Sequence, residues 1–491
     1  MVAVPPLRDF YRTTHRHSAL GARIVQQILL EHGWSTSFFN FPEYGKRGLP
    51  LPLPGELSYL SPFLIPEEKG GLSFFTRFQH FGPSFSDCGE MIIREKPDIL
   101  FLQCFAFCYA DETLALAREV FSRDPGIKIC IGGPGAAVLP AYFIRDGCVS
   151  TVFLGEIEDS LPGFLKGEYS EEIIQSNPGT IYPSFAVCRE TKSSRQIAVS
   201  LTRGCPKSCR FCSVHLSQGR KFRKAEISSV EKMADSMPKD KRAIINIEDD
   251  NILADMDYCL EILALFRKYM PLTEFWGENG IDYTFLDKNR VMALYEAGMS
   301  RFNLSLGTLQ ASGRKEEARP GGVGKYEGIL ETLNSLGVPV TTYFICGLRS
   351  DTPETIAETL LYLAAKPTLL GISLFYAVPG LPDFTNKTQF LSQPPRLGMS
   401  SSAYPWNGSL TTEESVTAFR LSRFINLLKK PSKTGDEKKL ISIILKTGRL
   451  HTLIKENPGY SCIPVPKQSL NLCSSVIPEL RQMLDKGYSL P

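Results

Sequence analysis

The sequence predicts an α/β protein in which a doubly wound parallel-sheet domain leads into a partial (β/α)6 barrel and then a small helical C-terminal domain. Short apolar runs alternate with helical patterns from residue 1 to about 165, as the strands and crossover helices of a parallel sheet do. A second series of the same kind begins near Ile197, after a polar stretch rich in Ser, Pro and Gly. From about residue 386 the pattern weakens into Pro, Ser and Gln before a further strong helix. The expected division is 1–166, a linker at 167–196, 197–385 and 386–491, in keeping with a chain of 491 residues, too long for one ordinary core.

In the first domain, Met1-Val2-Ala3-Val4-Pro5-Pro6 reads as an opening strand. A helix follows from about Ala19 to Glu31, with Ile24, Val25, Ile28 and Leu29 at helical spacing and Gly33 as its stop. Ser35 to Phe39 is the second strand, and a Pro/Gly-rich insertion from Phe41 to about Gly82 interrupts the alternation. Strands resume at Ile99 to Gln103, Lys128 to Gly132 and Thr151 to Leu154. Ligands of such sheets sit beyond the carboxyl ends of the strands, where Gly132-Gly133-Pro134 and Gly155-Glu156 fall.

The second series places strands near Ile197 to Thr202, Ala243 to Ile247, Phe275 to Glu278, Arg301 to Leu306, Val338 to Ile345 and Gly371 to Phe375. Asp351-Thr352-Pro353-Glu354 supplies a cap, an early proline and an early acid to a helix bearing Ile356, Leu360 and Leu363. Thr411 with Glu414 forms a capping box ahead of Val416, Phe419 and Phe424.

Hydrophobic residues at 43% and charged residues at 22% describe an ordinary globular protein. A net charge of +3 with evenly mixed signs gives no electrostatic case for nucleic acid, so the expected substrate is a small molecule, a lipid or a peptide. The first residues lack the basic and apolar regions of a secretory signal, and no run of about 18 apolar residues predicts a transmembrane segment. Thirteen scattered cysteines favour a reducing, cytoplasmic setting with thiols or metal over a disulfide framework.

Three of those cysteines are grouped in Thr202-Arg203-Gly204-Cys205-Pro206-Lys207-Ser208-Cys209-Arg210-Phe211-Cys212, directly after the first barrel strand. Thiolates are the ligands soft iron-sulfur clusters require, and flanking Arg203, Lys207 and Arg210 favour the deprotonated form. Zinc is the alternative, with His215 completing a Cys-Cys-Cys-His set.

Cys205, Cys209, Phe211 and Cys212 meet the CxxxCxΦC motif, and here the sequence resembles the radical S-adenosylmethionine (SAM) superfamily. The resemblance implies a 4Fe-4S cluster on Cys205, Cys209 and Cys212 whose open iron chelates SAM, and an electron donor such as flavodoxin or ferredoxin. Cleavage of SAM would give methionine and a 5′-deoxyadenosyl radical, while the protein positions reactants and excludes water. Asp249, Asp250 and Asn251 then fall where members bind the methionine amino end, although a carboxylate pair there also caps helices. Glu278 in Trp276-Gly277-Glu278-Asn279-Gly280 is a site-wall candidate, Gly347 lies in a segment similar to one that lies against adenine or is a turn, and Pro379 ends a family-like sixth strand. Gly307-Thr308-Leu309-Gln310 departs from the family in offering no carboxylate.

A doubly wound, Rossmann-like domain before such a barrel resembles the cobalamin-binding class of these enzymes. The resemblance rests on His17-Ser18-Ala19-Leu20-Gly21, Pro97-Asp98-Ile99-Leu100, Cys130-Ile131-Gly132-Gly133-Pro134 and Leu154-Gly155-Glu156-Ile157-Glu158. It implies cobalamin held near Gly21, Gly132, Gly133, Pro134, Gly155 and Glu156. His15 and His17 lack the Asp-x-His-x-x-Gly spacing of a lower ligand, and Cys104, Cys108 and Cys130 read as core. The expected activity is cobalamin-dependent radical methylation of an unactivated carbon. Cyclisation, oxidation or rearrangement with the same cofactors is the alternative, as is a metal-binding protein without turnover. Leu51, Leu53, Phe63, Leu64, Phe74 and Phe75 of the insertion, together with the C-terminal domain, would cover a greasy substrate, and loop packing explains them equally well.

Overall fold

Strands β1 (Val2–Val4), β2 (Phe38–Asn40), β3 (Ile99–Gln103), β4 (Lys128–Gly132), β5 (Thr151–Leu154) and β6 (Ile173–Gln175) form one sheet in the order β2-β1-β3-β4-β5-β6. Every pairing in it is parallel. The computed structural model that shows this describes residues 1–11, 18–45, 48–176, 179–319 and 321–486. His15 and His17 lie outside the described residues. The winding direction reverses between β1 and β3, which places a ligand crevice at the carboxyl ends of those strands. Leu100 to Leu102, Ile129 to Ile131, Val152 and Phe153 are buried, as central strands covered on both faces must be. Helix α1 (Leu20–Glu31) covers one face through Ile24, Ile28 and Leu29.

The described residues of the predicted insertion form regular structure. Leu7–Asp9, Phe78–Phe81 and Leu49–Leu51 make a small antiparallel sheet, and Leu57, Leu60, Phe63 and Phe74 are buried in the main core. The stretch read as a linker is also structured: it contains β6 and most of a hairpin made by β7 (Ser184–Glu190) and β8 (Ser194–Ser200). Its polar composition reflects position at a sheet edge, where β7 exposes or half-exposes six of its seven residues.

The barrel sheet continues through β9 (Arg242–Ile247), β10 (Glu274–Ile281), β11 (Met299–Gly307), β12 (Val340–Cys346) and β13 (Leu369–Leu374), in chain order. Strands β8 to β13 are parallel, giving the expected six-stranded partial barrel with β7 added antiparallel outside β8. Ile245, Phe275, Phe302, Leu304 and Phe344 pack with the covering helices in one core. Side chains such as Asn246, Asn303 and Tyr343 instead bond to one another or to neighbouring backbone: Asn303 donates to the Tyr343 hydroxyl at 2.7 Å, and Asn246 accepts from the Glu278 amide at 3.1 Å.

Both predicted helix starts are present. Thr352 caps α2 (Pro353–Ala364) reciprocally with Thr355, and Thr411 caps α3 (Thr412–Lys429) reciprocally with Glu414. The C-terminal region is not purely helical. Besides α3, α4 (Gly435–Thr447) and α5 (Leu470–Asp485), it carries a hairpin of His451–Glu456 and Gly459–Pro464, turning at Asn457-Pro458, a local turn signal that the helical expectation did not use. Thr452 of that hairpin donates to Glu68 at 2.5 Å, Phe74 meets Phe419 at 5.2 Å, and Tyr59 donates to the Ser402 carbonyl at 2.8 Å. The insertion and the C-terminal region thus form one joint cap. Among the described residues no helix is long and apolar enough to cross a membrane.

Candidate cofactor-binding site

The cysteine loop leaves the barrel at its C-terminal end. Thr202–Arg203 pairs antiparallel with Arg223–Lys224, closing the loop at its base. Gly204 has φ of +79°, and a Cβ there would stand 2.3 Å from the Lys221 carbonyl oxygen, so the turn requires glycine. Asp249, at the end of β9, latches the same base: its buried Oδ1 accepts from the amides of Leu201 at 2.8 Å and Thr202 at 3.1 Å and from the Ser200 hydroxyl at 3.2 Å.

Asp249 Oδ1 is therefore occupied by the fold while its buried Oδ2 has no hydrogen-bond partner among the described residues, and neighbouring Asp250 is half-buried and likewise without one. Burial first, and then Asp249, push the Asp250 carboxyl up to about 6 against the opposing pull of Arg203. Asn251 turns toward the cysteines, its Nδ2 donating to Cys205 Sγ at 3.6 Å. Cys209 is buried and accepts from Arg319 Nη1 at 3.6 Å. The Cys212 thiol is pushed up to about 11, mainly by burial and further by Asp250, Cys209 and Cys205.

Among the described residues no three His, Cys, Asp or Glu side chains gather as a single metal ion would need. The donor set suits a larger soft cluster: three thiols on one loop, two of them already receiving N–H groups of the kind that tune cluster sulfurs.

The other candidates are placed less directly. Phe211 lines a small recess with Phe375, Phe384 and Asn407. Glu278 is tied to Arg301 at 2.6 Å, and that guanidinium also lies 4.0 Å over the Trp276 ring. Gly347, at φ of +102°, donates with Leu348 to Asp351 Oδ2 at 2.8 and 2.9 Å, so its turn is built into the start of α2. Pro379 is buried in the turn whose Gly380 approaches Leu216.

All six positions expected in the N-terminal domain, Gly21, Gly132, Gly133, Pro134, Gly155 and Glu156, line one cavity of about 230 Å³. Its opposite wall includes Ser200, Arg203, Ser217, Gln218 and Glu248 of the barrel and cysteine loop. Gly133 is constrained by the protein itself, since a Cβ would lie 2.7 Å from the Cys104 carbonyl oxygen at φ of +102°. Gly21 is not; a Cβ there would make only ordinary contact with Gln103 at 3.6 Å. Gln103 and Glu158, both lining the cavity, each keep a buried oxygen without a hydrogen-bond partner among the described residues. Unspent acceptors at a switch-point crevice suit a ligand rich in amide donors, as cobalamin is. Cys104, Cys108 and Cys130 are buried, and burial holds their thiols well above the ordinary range.

Residue reading missed the partners that reach across the chain. Arg223 grips Glu156 with both terminal nitrogens, the Nη1 to Oε2 distance being 2.6 Å, and Arg203 lies 3.8 Å from Glu158. Arg319 binds Cys209, the Ser305 carbonyl at 2.7 Å and the Ser305 hydroxyl at 3.0 Å. It rises from the segment after β11 where the sequence offers no family-like carboxylate, and nothing in its local pattern marks it.

Residues 199–363 match the Radical SAM superfamily. The chain is 26% identical over 255 residues to bacteriochlorophyllide d C-12(1)-methyltransferase of Chlorobaculum tepidum, covering 48% of this chain and 55% of that protein. It is 23% identical over 328 residues to hopanoid C-3 methylase of Methylococcus capsulatus, covering 60% and 62%. The chain thus spans less than two thirds of the length of these curated relatives. Its fold is similar to that of the radical SAM methyltransferase TsrM from Kitasatospora setae, solved with tryptophan substrate and a SAM analogue. That likeness has a TM-score of 0.55 at 12% identity and covers 78% of this chain and 74% of that one. The barrel segment thus carries the match to the radical SAM superfamily, and the fold, a doubly wound domain ahead of that barrel, is similar to that of TsrM.

Proposed function

We propose that the protein is a cobalamin-dependent radical SAM C-methyltransferase acting on an unactivated carbon of a small-molecule, lipid or peptide substrate. The observation that carries this reading is the cavity lined on one side by the six N-terminal positions and on the other by the cysteine-loop base. Relatives that methylate carbon on a bacteriochlorophyllide and a hopanoid support it.

When bound, the cluster with SAM supplies hydrogen-atom abstraction and cobalamin supplies the methyl group. Cys205, Cys209 and Cys212 hold the cluster, and Asn251 and Arg319 donate to its sulfurs. Asp250, left unpartnered beside the cysteines, accepts the methionine ammonium. Asp249 fixes the loop so that these groups keep their spacing. Phe211 and Gly347 bound the nucleoside side, and the joint cap keeps water from the barrel mouth. Gln103 and Glu156 line the cobalamin side, with Gly21 leaving room. Electrons come from a donor of the flavodoxin or ferredoxin type.

The test is anaerobic purification of the full chain with cobalamin supplied, analysis for iron, sulfide, zinc and cobalt, and assay of 5′-deoxyadenosine with methyl-labelled SAM. Iron, cobalt and a product heavier by one labelled methylene are expected. Iron without cobalt overturns the cobalamin assignment, and zinc without iron overturns the radical reading. A product that has lost hydrogen or kept its composition makes the enzyme a cyclase, oxidase or rearrangement catalyst.

A further inference from the structure

A second, larger cavity of about 640 Å³ lies between the loop after β3, strand β13 and α3. It shares Phe105 with the first cavity and Asn279 with a small recess beside Asp249 and Asp250. Its position makes it a meeting place for groups held on the two sides. Its volume falls within the range of small-molecule sites.

The walls are mainly rings and aliphatic chains. Phe74, Phe75 and Phe419 make mutual ring contacts at 4.6 to 5.8 Å, with Leu370, Ile372 and Met399 also on the lining. Most polar lining groups are spent on the protein. Asp9 accepts from the Tyr109 hydroxyl at 2.5 Å and the Ser401 hydroxyl at 3.0 Å. Ser400 and Ser422 donate to backbone carbonyls, and Asn426 is taken up by the Leu370 backbone. Arg423 lies 4.6 Å over the Phe419 ring.

Tyr376 behaves differently. It exposes 42% of its surface, and its hydroxyl has no hydrogen-bond partner among the described residues. Burial among protein atoms nevertheless pushes its phenol up to about 12, the combination expected of a side chain facing an internal chamber. Ser373 on β13 is likewise exposed on the lining. A charged ligand here would lose its hydration with little left to replace it, whereas a flat apolar one gains ring contacts.

We propose that this second cavity is the substrate site and that it takes a neutral, ring-bearing, largely apolar molecule whose polar oxygen is met by the Tyr376 hydroxyl. The assignment of its ligand as substrate rests on the methyltransferase reading; the binding itself does not.

The probe is 2-acetylnaphthalene, a neutral ring ketone, titrated into the anaerobically purified full chain. Saturable one-to-one binding is expected, weakened about tenfold by Ser373→Trp, which fills the chamber. Tyr376→Phe, which removes one oxygen and leaves the packing, is expected to weaken the ketone about fivefold and to leave 2-ethylnaphthalene unchanged. The charged analogue 2-naphthoate is expected to bind about tenfold more weakly than the ketone.

Equal affinity for naphthoate, or an unchanged ketone affinity in Tyr376→Phe together with a folded Ser373→Trp, overturns the proposal. Iron and cobalt are measured on the same preparations. Probe binding without metal loading defeats the methyltransferase reading and keeps the cavity assignment. Metal loading without probe binding defeats the cavity assignment alone.

Discussion

Asn426 of α3 pairs with Leu370 of β13 in both directions, accepting from its amide at 2.8 Å and donating to its carbonyl at 2.9 Å. The side-chain amide thus serves as a strand partner at the last edge of the barrel sheet, where unpaired backbone would otherwise invite another chain. Asn426→Ala removes both bonds and leaves Leu370 covered but unpaired. A loss of about 2 to 3 kcal/mol is expected, read as a lower urea midpoint with an unchanged slope. Asn426→Asp keeps an acceptor and loses the donor, so it should fall between the two.

Gly133 and Gly21 line the same cavity under different constraints, and they separate folding from binding. Gly133→Ala forces a Cβ to within 2.7 Å of the Cys104 carbonyl oxygen in a backbone conformation that side chains rarely adopt. It should destabilise the chain by more than about 1 kcal/mol. Gly21→Ala meets only Gln103, at 3.6 Å, and should leave the urea midpoint within about 0.5 kcal/mol of wild type. Because its methyl narrows the cavity, cobalt retained after desalting should fall in Gly21→Ala while iron does not.

Glu158 gives the protein a pH-dependent term. Burial is the main cause raising its carboxyl to about 7 from an ordinary 4.5, with Arg203 opposing. Between those values the folded chain holds a proton that the unfolded chain has released, so this contribution is largest at low pH. It declines as pH rises through the window and levels off above about 7. Glu158→Gln keeps the uncharged shape and removes the titration. Its stability should fall less than wild type between pH 5 and pH 8, by about 2 to 3 kcal/mol. Parallel urea midpoints of the two proteins across that range decide it.

The parts legible in the sequence were those whose signal is local. Strands β3, β4 and β5 lie at the expected residues because each is a continuous apolar run covered on both faces. The Thr411 and Glu414 capping box likewise needs only four residues to be seen. Strand β7 was hidden because an edge strand with a solvent face keeps the polar composition of a linker. The cysteine motif named its own loop, and the glycines of the first cavity sit at strand ends that the alternation already marked. Asp249 and Asp250 could not be told apart by sequence, since the difference is which carboxylate meets the amides of Leu201 and Thr202. Arg223 and Arg319 act across 67 and 110 residues of chain, and only the folded register brings them to Glu156 and Cys209.

Arg319 sets the last expectation. Its Nη1 lies 3.6 Å from Cys209 Sγ, its Nη2 reaches Ser305, and Asp282 stands 3.6 Å away as a partial counter-charge. A buried cation donating to a cluster sulfur stabilises the reduced, more negative state over the oxidised one. Arg319→Met should therefore make the cluster harder to reduce, lowering its midpoint potential by on the order of tens of millivolts. Iron per chain should stay at the wild-type level, because the three proposed cluster ligands, Cys205, Cys209 and Cys212, are intact. Arg319→Lys retains charge without the planar fork and should recover part of the potential. A redox titration followed by electron paramagnetic resonance measures this without turnover. An unmoved potential at full iron content would make Arg319 a clamp on the end of β11, holding the Ser305 carbonyl and leaving the cluster's electronics to its thiols.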